Sequence, residues 1–388
     1  MAVENGYKLT QIGILPKEWE IVSLGDIFVF KNGLNKASHF FGKGTPIVNY
    51  MDVFKNNGLV ISKITGRVTL TSQETKNFEV RKGDVFFTRT SETVEEIGIS
   101  SVMLEEPEAT VFSGFILRAR PINQRLNLEF KKYCFSNQSI RKEIVSKSSY
   151  TTRALTNGRL LSAVKIPLPP LPEQTAIATA LSDMDALIAQ TSALIEKKKA
   201  IKLGVMQELL RPKEGWVKKK LGEVCELKKG QLITESTRIN GEIPVIAGGK
   251  TPAYFHNKAN RQGKTISISA SGASAGYISF HSTPIFASDC STISAESNFC
   301  IEFVFYWLQM NQSNIYKLQT GGAQPHIHPS DLNPLEISLP NINEQNLIAE
   351  TLSTIDDELN FTQKKLQKLQ LQKQGMMQAL LTGKIRLV

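Results

Sequence analysis

The chain has 388 residues, enough for two or three domains at roughly 150 residues each, and its 41% hydrophobic content excludes a wholly disordered protein. Lys+Arg number 46 against 36 Asp+Glu, and the net charge of +10 favours an anionic partner, nucleic acid before a membrane surface. No run approaches the ~18–20 apolar residues of a membrane helix, the first residues lack the pattern of a secretory leader, and Cys134, Cys225, Cys290 and Cys300 form no Cys-x-x-Cys pair, so a cytoplasmic protein with no membrane partner is expected.

In chain order, Trp19, Leu24-Gly25, Asp26 and Gly33 come first, and they return at an offset of 197 as Trp216, Leu221-Gly222, Glu223 and Gly230. Gly42-Lys43-Gly44-Thr45 and Gly263-Lys264-Thr265 lack the upstream glycine of a phosphate-binding loop and are predicted turns. Asp84 to Thr88 reads as a strand. It leads into Arg89-Thr90-Ser91, an arginine with short polar neighbours that either contacts phosphates and base edges or caps a solvated strand end. Asn127 to Lys147 reads as a helix.

A second repeat, at an offset of 171, is stronger. Leu168-Pro169-Pro170-Leu171-Pro172-Glu173-Gln174 returns as Leu339-Pro340-Asn341-Ile342-Asn343-Glu344-Gln345, and the register holds without a gap to Leu209-Leu210 and Leu380-Leu381. Each copy opens a helix with apolar residues in steps of three and four. The first stripe is Ile177, Leu181, Met184, Ile188, Ile195, Val205 and Leu209, broken by Lys198 and Lys202. The second is Ile348, Leu352, Ile355, Leu359, Leu366, Leu369, Met376 and Leu380, with Thr362 and Lys373 in the gaps. This is the heptad pattern of a coiled coil. Only Arg211 to Gly215 separate the first helix from Trp216, so the second helix is expected to run back along the first, antiparallel, over roughly 48 Å at ~1.5 Å per residue. Lys197-Lys198-Lys199 reads as a solvated helix face or a subunit-docking surface.

In the second half, Lys264 to Ser269 is a predicted strand, followed by a small-residue loop that carries Ser271 and Ser274. That loop either lets backbone amides approach a phosphate or is an ordinary hairpin turn. Lys250 and Tyr254, in Gly248 to Tyr254, form a further candidate contact. His281 and Ser288-Asp289 lie close in sequence, but nothing resembles a nucleophile elbow. His326 and His328 are two apart and lack a Cys or acidic cluster, so no metal is expected. Dinucleotide, P-loop and Asn-Pro-Pro-Tyr-type methyltransferase motifs are missing, and no catalytic residue is assigned.

The duplicated pattern resembles the specificity subunit of type I restriction–modification enzymes, over nearly the whole chain. Leu168 to Leu210 looks like that family's first conserved region and Leu339 to Leu381 like its second. Gly321-Gly322-Ala323-Gln324-Pro325-His326-Ile327 looks like its glycine-rich segment, with Ser148 to Arg153 in the corresponding place of the first half. The resemblance implies an α+β protein with an internal pseudo-two-fold repeat and a dumbbell layout. Target-recognition domains at 1–165 and 216–336 would be separated by antiparallel spacer helices at 166–215 and 337–388. It implies a non-catalytic subunit that reads an asymmetric, bipartite site on double-stranded DNA, beside two methyltransferase (M) subunits and restriction/translocase (R) subunits. The chain itself would bind no cofactor. S-adenosylmethionine, ATP and Mg would sit on the partners. By place in the pattern, Tyr150, Arg153, Gln324 and His326 join Arg89, Thr90, Ser91, Lys250, Tyr254, Ser271 and Ser274 as candidate DNA contacts. The alternatives are the recognition subunit of a methylation-only system and a coiled-coil adaptor that binds protein alone.

Partitioned at those boundaries, the charge is +7 in residues 1–165 and +2 in 216–336, with zero and +1 in the two spacer segments. The first recognition domain is therefore expected to lean more on phosphate contacts.

Overall fold

A computed structural model describes residues 5–150 and 153–387. The chain forms two compact units, Met1–Gln190 with Leu366–Val388 and Thr191–Lys365, so both long helices contribute to both units. The fold is α+β.

In the first unit a five-stranded sheet has the order Phe28–Asn32, Ile116–Pro121, Val85–Thr88, Ser100–Met103, Gly58–Leu59. Val85-Phe86-Phe87-Thr88 is buried throughout because the sheet is covered on both faces. Side-chain alternation sends Phe87 to one cluster, 5.2 Å from Phe135 between ring centres, and Phe86 to another, 5.7 Å from Phe112. A second sheet has the order Val111–Phe112, Phe41–Val48, Arg67–Val68.

The second unit repeats this plan with less material. Its main sheet has the order Lys228–Lys229, Cys290–Ser294, Thr265–Ser269, Ile278–His281, and its small sheet Tyr254–His256, Ile243–Ile246, Phe286–Ala287. Ile266 and Ile268 face the one large core, while Ser267 and Ser269 on the other face bond His281 Nε2 (2.8 Å) and the Gly248 carbonyl (2.8 Å). The repeated glycines explain themselves here. A Cβ on Gly33 would lie 2.1 Å from the Ser113 carbonyl oxygen, and one on Gly230 would lie 1.9 Å from that of Ser288. Both positions pass a strand end against the loop between sheets, and only glycine fits.

The long helices span Leu171–Leu209 and Ile342–Leu380. In the first unit Ile177 and Leu181 share a core with Leu380 and Leu381, and Asp185 meets Lys373 at 2.5 Å. In the second, Met206 and Leu210 share a core with Ile348 and Leu352, and Lys202 meets Asp356 at 2.6 Å. Rising numbers on one helix face falling numbers on the other, so each unit holds an antiparallel helix pair. The predicted stripe is buried at Ile177, Leu181, Ile195, Ile348, Leu352, Leu369 and Leu380. Met184, Ile188, Ile355, Leu359, Leu366 and Met376 are half-buried. At the end of the first helix the core positions are Met206 and Leu210, and the expected Val205 and Leu209 are only half-buried. An α-helix drifts about 20° per heptad against a strict seven-residue repeat, which moves the seam by one residue.

Two local expectations change. The predicted helix from Asn127 to Lys147 is two helices, Lys131–Cys134 and Gln138–Lys147. Asn137 breaks it: its side chain accepts from Ser139 N, capping the second helix, and donates to the Leu381 carbonyl at 2.6 Å. Gly42 to Thr45 is not a turn. It lies inside the strand Phe41–Val48, where Gly42 and Gly44 take positive φ and the register slips in a bulge between Phe41 and Thr45.

Candidate nucleic-acid interface

The same edge is built in both units, where the chain leaves the middle of the main sheet. In the first, Arg89 follows the strand Val85–Thr88, and Thr90–Ser91 pairs antiparallel with Ala154–Leu155, which pairs in turn with Ser149–Tyr150. In the second, Ser271 follows the strand Thr265–Ser269 and bridges His326, which bridges Thr320. Backbone bonds lock this second edge: Gly272 N donates to the Pro325 carbonyl (3.0 Å) and Ile327 N to that of Ala270 (2.9 Å). Each unit thus presents a strand pair, Ser149–Tyr150 with Ala154–Leu155 or Thr320 with His326, beside the loop that ends a central strand. Gly321 turns the second hairpin at positive φ. In the first unit Thr151 and Thr152 lie outside the described residues.

The structure brings together Arg89, Thr90, Ser91, Tyr150 and Arg153. Tyr150 is 59% exposed, and Arg153 is exposed with Glu92 at 3.8 Å. Arg89 and Thr90 are half-buried, and one Arg89 nitrogen reaches the Gly114 carbonyl at 3.5 Å. Ser91 is buried, and its hydroxyl bonds Glu96 (3.1 Å) and accepts from Thr93 N (3.2 Å), so it shapes the edge rather than facing outward. Phe115 escaped the sequence reading. Its carbonyl accepts from Arg89 N at 3.1 Å, and the residue is 65% exposed, an apolar surface next to the edge strand. Its signal was an aromatic residue straight after Ser113-Gly114, opposite the repeated Gly33.

In the second unit Ser271 bridges His326, both half-buried, and Gln324 is exposed in the same hairpin; Lys250 is exposed as well. The Lys250 ammonium sits 5.4 Å above the ring of Tyr277, which closes the 271–277 loop. The Ser271 hydroxyl donates to Asp289, so a carboxylate holds it. Ser274 belongs to a short helical turn and its carbonyl accepts from Tyr277 N at 2.9 Å, a structural role. Tyr254 faces elsewhere: its hydroxyl donates to the Ile233 carbonyl and Arg238 lies 5.8 Å over its ring. A groove of about 220 Å³ runs past His326, His328, Lys229, Leu232 and Asp289.

The chemistry on view is that of binding. His281 bonds Ser267 and Asp289 bonds Ser271, so the nearby Ser, His and Asp side chains do not assemble into a relay. Burial lowers the pKa of His281 and pushes the Cys225 and Cys290 thiols up to about 12. Among the described residues no three His, Cys, Asp or Glu side chains cluster to hold a metal ion, and no helix is long and apolar enough to cross a membrane.

The family model of the type I restriction modification DNA specificity domain matches residues 16–199 and 213–371, once per internal repeat. The chain belongs to this specificity family. Its resemblance extends over 99% of this chain and 97% of the MjaX type I restriction enzyme specificity-subunit sequence of Methanocaldococcus jannaschii, at 27% identity. Two solved structures share the fold. The S subunit of a type I restriction–modification system from M. genitalium superposes with a TM-score of 0.63 at 17% identity, over 98% of both chains. The HsdS subunit from Thermoanaerobacter tengcongensis gives 0.50 at 18% identity, over 96% of this chain and 98% of that one. A specificity subunit recognises DNA and is not itself an enzyme, which agrees with the edges described above.

Proposed function

We propose that this specificity subunit reads an asymmetric, bipartite site on double-stranded DNA, one half-site per unit, in the cytoplasm. It directs two methyltransferase (M) subunits and the restriction/translocase (R) subunits to that site. The recognition domains are residues 1–165 and 216–336, and the helical segments 166–215 and 337–388 space them. The observation that carries this reading is the edge built twice from one backbone plan with different side chains: Arg89, Phe115 and Tyr150 in one unit, Lys250, Gln324 and His326 in the other. One plan with two chemistries suits two different half-sites on one duplex.

Apolar residues left exposed on the long helices, among them Leu194, Ile201, Phe361 and Leu371, suit protein partners. Those partners would carry S-adenosylmethionine on the M subunits and ATP with Mg on the R subunits, and a flipped base would be methylated there. The chain assembled with its methyltransferase should bind one bipartite duplex in a salt-dependent way and lose it when the spacer changes by one base pair. Binding without sequence preference would overturn the reading.

A further inference from the structure

We propose that two Tyr–Asp–Lys triads set how strictly the half-site spacing is enforced, by fixing the roll of each recognition domain on its helix pair. This rests on the bipartite reading above. In the first unit the Tyr133 hydroxyl, on the short helix Lys131–Cys134, donates to Asp185 at 2.8 Å, and Lys373 meets the same carboxylate at 2.5 Å. In the second the Tyr306 hydroxyl, on the helix Ile301–Met310, donates to Asp356 at 2.9 Å, and Lys202 meets that carboxylate at 2.6 Å. Asp185 and Lys202 lie on the first long helix, Asp356 and Lys373 on the second, so the two triads exchange helices. Both the Asp pair and the Lys pair stand at the repeat offset of 171. Lys202 and Lys373, which interrupt the apolar stripes, are therefore members of a device built twice.

Each triad closes a triangle of three elements: a domain helix and both members of the helix pair. The third side is the lysine over the tyrosine ring, at 5.9 Å for Lys373 and 5.3 Å for Lys202. Tyr133 and Tyr306 are buried, and burial beside an aspartate raises both phenol pKa values, which keeps the hydroxyls as donors.

Apolar packing tolerates small slides and rolls, whereas a charge-assisted bond at its optimum length does not. Buried polar groups in helix seams are known to specify register for this reason. The DNA side has a matching scale. One base-pair step adds ~3.4 Å of rise and, at ~10–10.5 pairs per turn, ~34–36° of twist. A domain free to roll by that much would accept a spacer one pair too long or too short.

The test uses the full chain with its methyltransferase partner. The probes are plasmids that carry the wild-type methylated site at its native spacer and at one pair more or less. Wild type should methylate the native spacer alone. Tyr133→Phe with Tyr306→Phe keeps the rings and removes both hydroxyls, and should raise off-spacing methylation relative to the native spacing at least tenfold, with the bases required in each half-site unchanged. Lys198→Gln breaks another pair between the long helices, Lys198 with Glu358 at 2.5 Å, and should leave that ratio within twofold. Should the double variant fail to fold, each single variant is read the same way, with a smaller relaxation expected. Folded, active Tyr→Phe proteins and folded, active Asp185→Asn with Asp356→Asn, all with the wild-type ratio, would overturn the proposal. A wild-type complex with no bipartite preference would overturn the underlying reading as well, and is told apart by needing no variant.

Discussion

The two long helices begin with the same Glu-Gln pair, and only the glutamine does the same thing twice. Gln174 donates to the carbonyls of Pro169 and Arg125 (2.9 Å each) and accepts from Asn127 N (2.8 Å). Gln345 donates to the Pro340 carbonyl (2.9 Å) and accepts from Cys300 N (3.0 Å). Both glutamines are buried. The glutamates part ways. Glu173 is fully buried, accepts from Trp19 Nε1 at 2.8 Å and holds Arg386 through both oxygens at 2.5 and 2.9 Å. Glu344 is partly exposed, and its ion pair is Lys213 at 4.0 Å. Trp216, the counterpart of Trp19, packs edge-on to Phe303 at 6.0 Å and is only half-buried. The difference lies in what covers the helix start. In the first unit the segment after the second long helix folds over it, with Tyr7 donating to the Gly383 carbonyl at 3.0 Å. In the second, exposed residues 211–215 pass by. A motif repeated in sequence therefore carries one duty fixed by the helix and another fixed by its neighbours.

The largest expected effect breaks this asymmetry. Glu173→Gln removes the buried carboxylate from Arg386, leaves it only the exposed Glu18 at 2.7 Å, and should cost roughly 2–4 kcal/mol in urea denaturation, against less than about 1 kcal/mol for Glu344→Gln. Equal losses would show that the two junctions are energetically alike. Next come Gln174→Ala and Gln345→Ala. Each leaves a backbone amide without its acceptor, that of Asn127 half-buried and that of Cys300 buried, and the two should lose similar amounts, about 1–3 kcal/mol. A loss confined to one of them would end the idea of a shared duty. The smallest effect concerns the edges themselves. Arg89→Ala should weaken DNA binding by roughly 1 kcal/mol and flatten its salt dependence, whereas Ser271→Ala, whose hydroxyl is already spent on Asp289, should change neither. A salt slope unchanged by Arg89→Ala would remove it from the interface and weaken the expectation drawn from the +7 charge of residues 1–165.

Much of the helical framework was legible in sequence because a seven-residue apolar period is a local property that one strand of text displays. The same holds for the repeats, and Gly33 and Gly230 turned out to mark the same steric bottleneck. What stayed hidden depended on distant partners. Nothing near Ser91 announces that it will be buried against Glu96, and nothing near Tyr254 says that Ile233 and Arg238 will claim it. The break at Asn137 relies on Leu381, 244 residues away. Lys202 and Lys373 looked like flaws in a seam because their aspartate partners lie on the opposite helix. Of the candidate contacts, Tyr150, Arg153, Gln324 and His326, chosen by place in the repeat, lie on or beside the edge strands, whereas those chosen from local composition divide: Thr90, Ser91 and Ser271 lie at the edges, and Tyr254 and Ser274 are claimed by other partners.

The grip of the two glutamines has an evolutionary corollary. Apart from carbonyls of the helix lead-ins, their hydrogen-bond partners are main chain of the globular domains: the Arg125 carbonyl and the amides of Asn127 and Cys300. Main-chain atoms are the same whatever side chains surround them. A socket that recognises only backbone imposes almost no sequence on the piece it holds. Recognition domains can then diverge, or be exchanged for others, while the helices that carry them stay as they are.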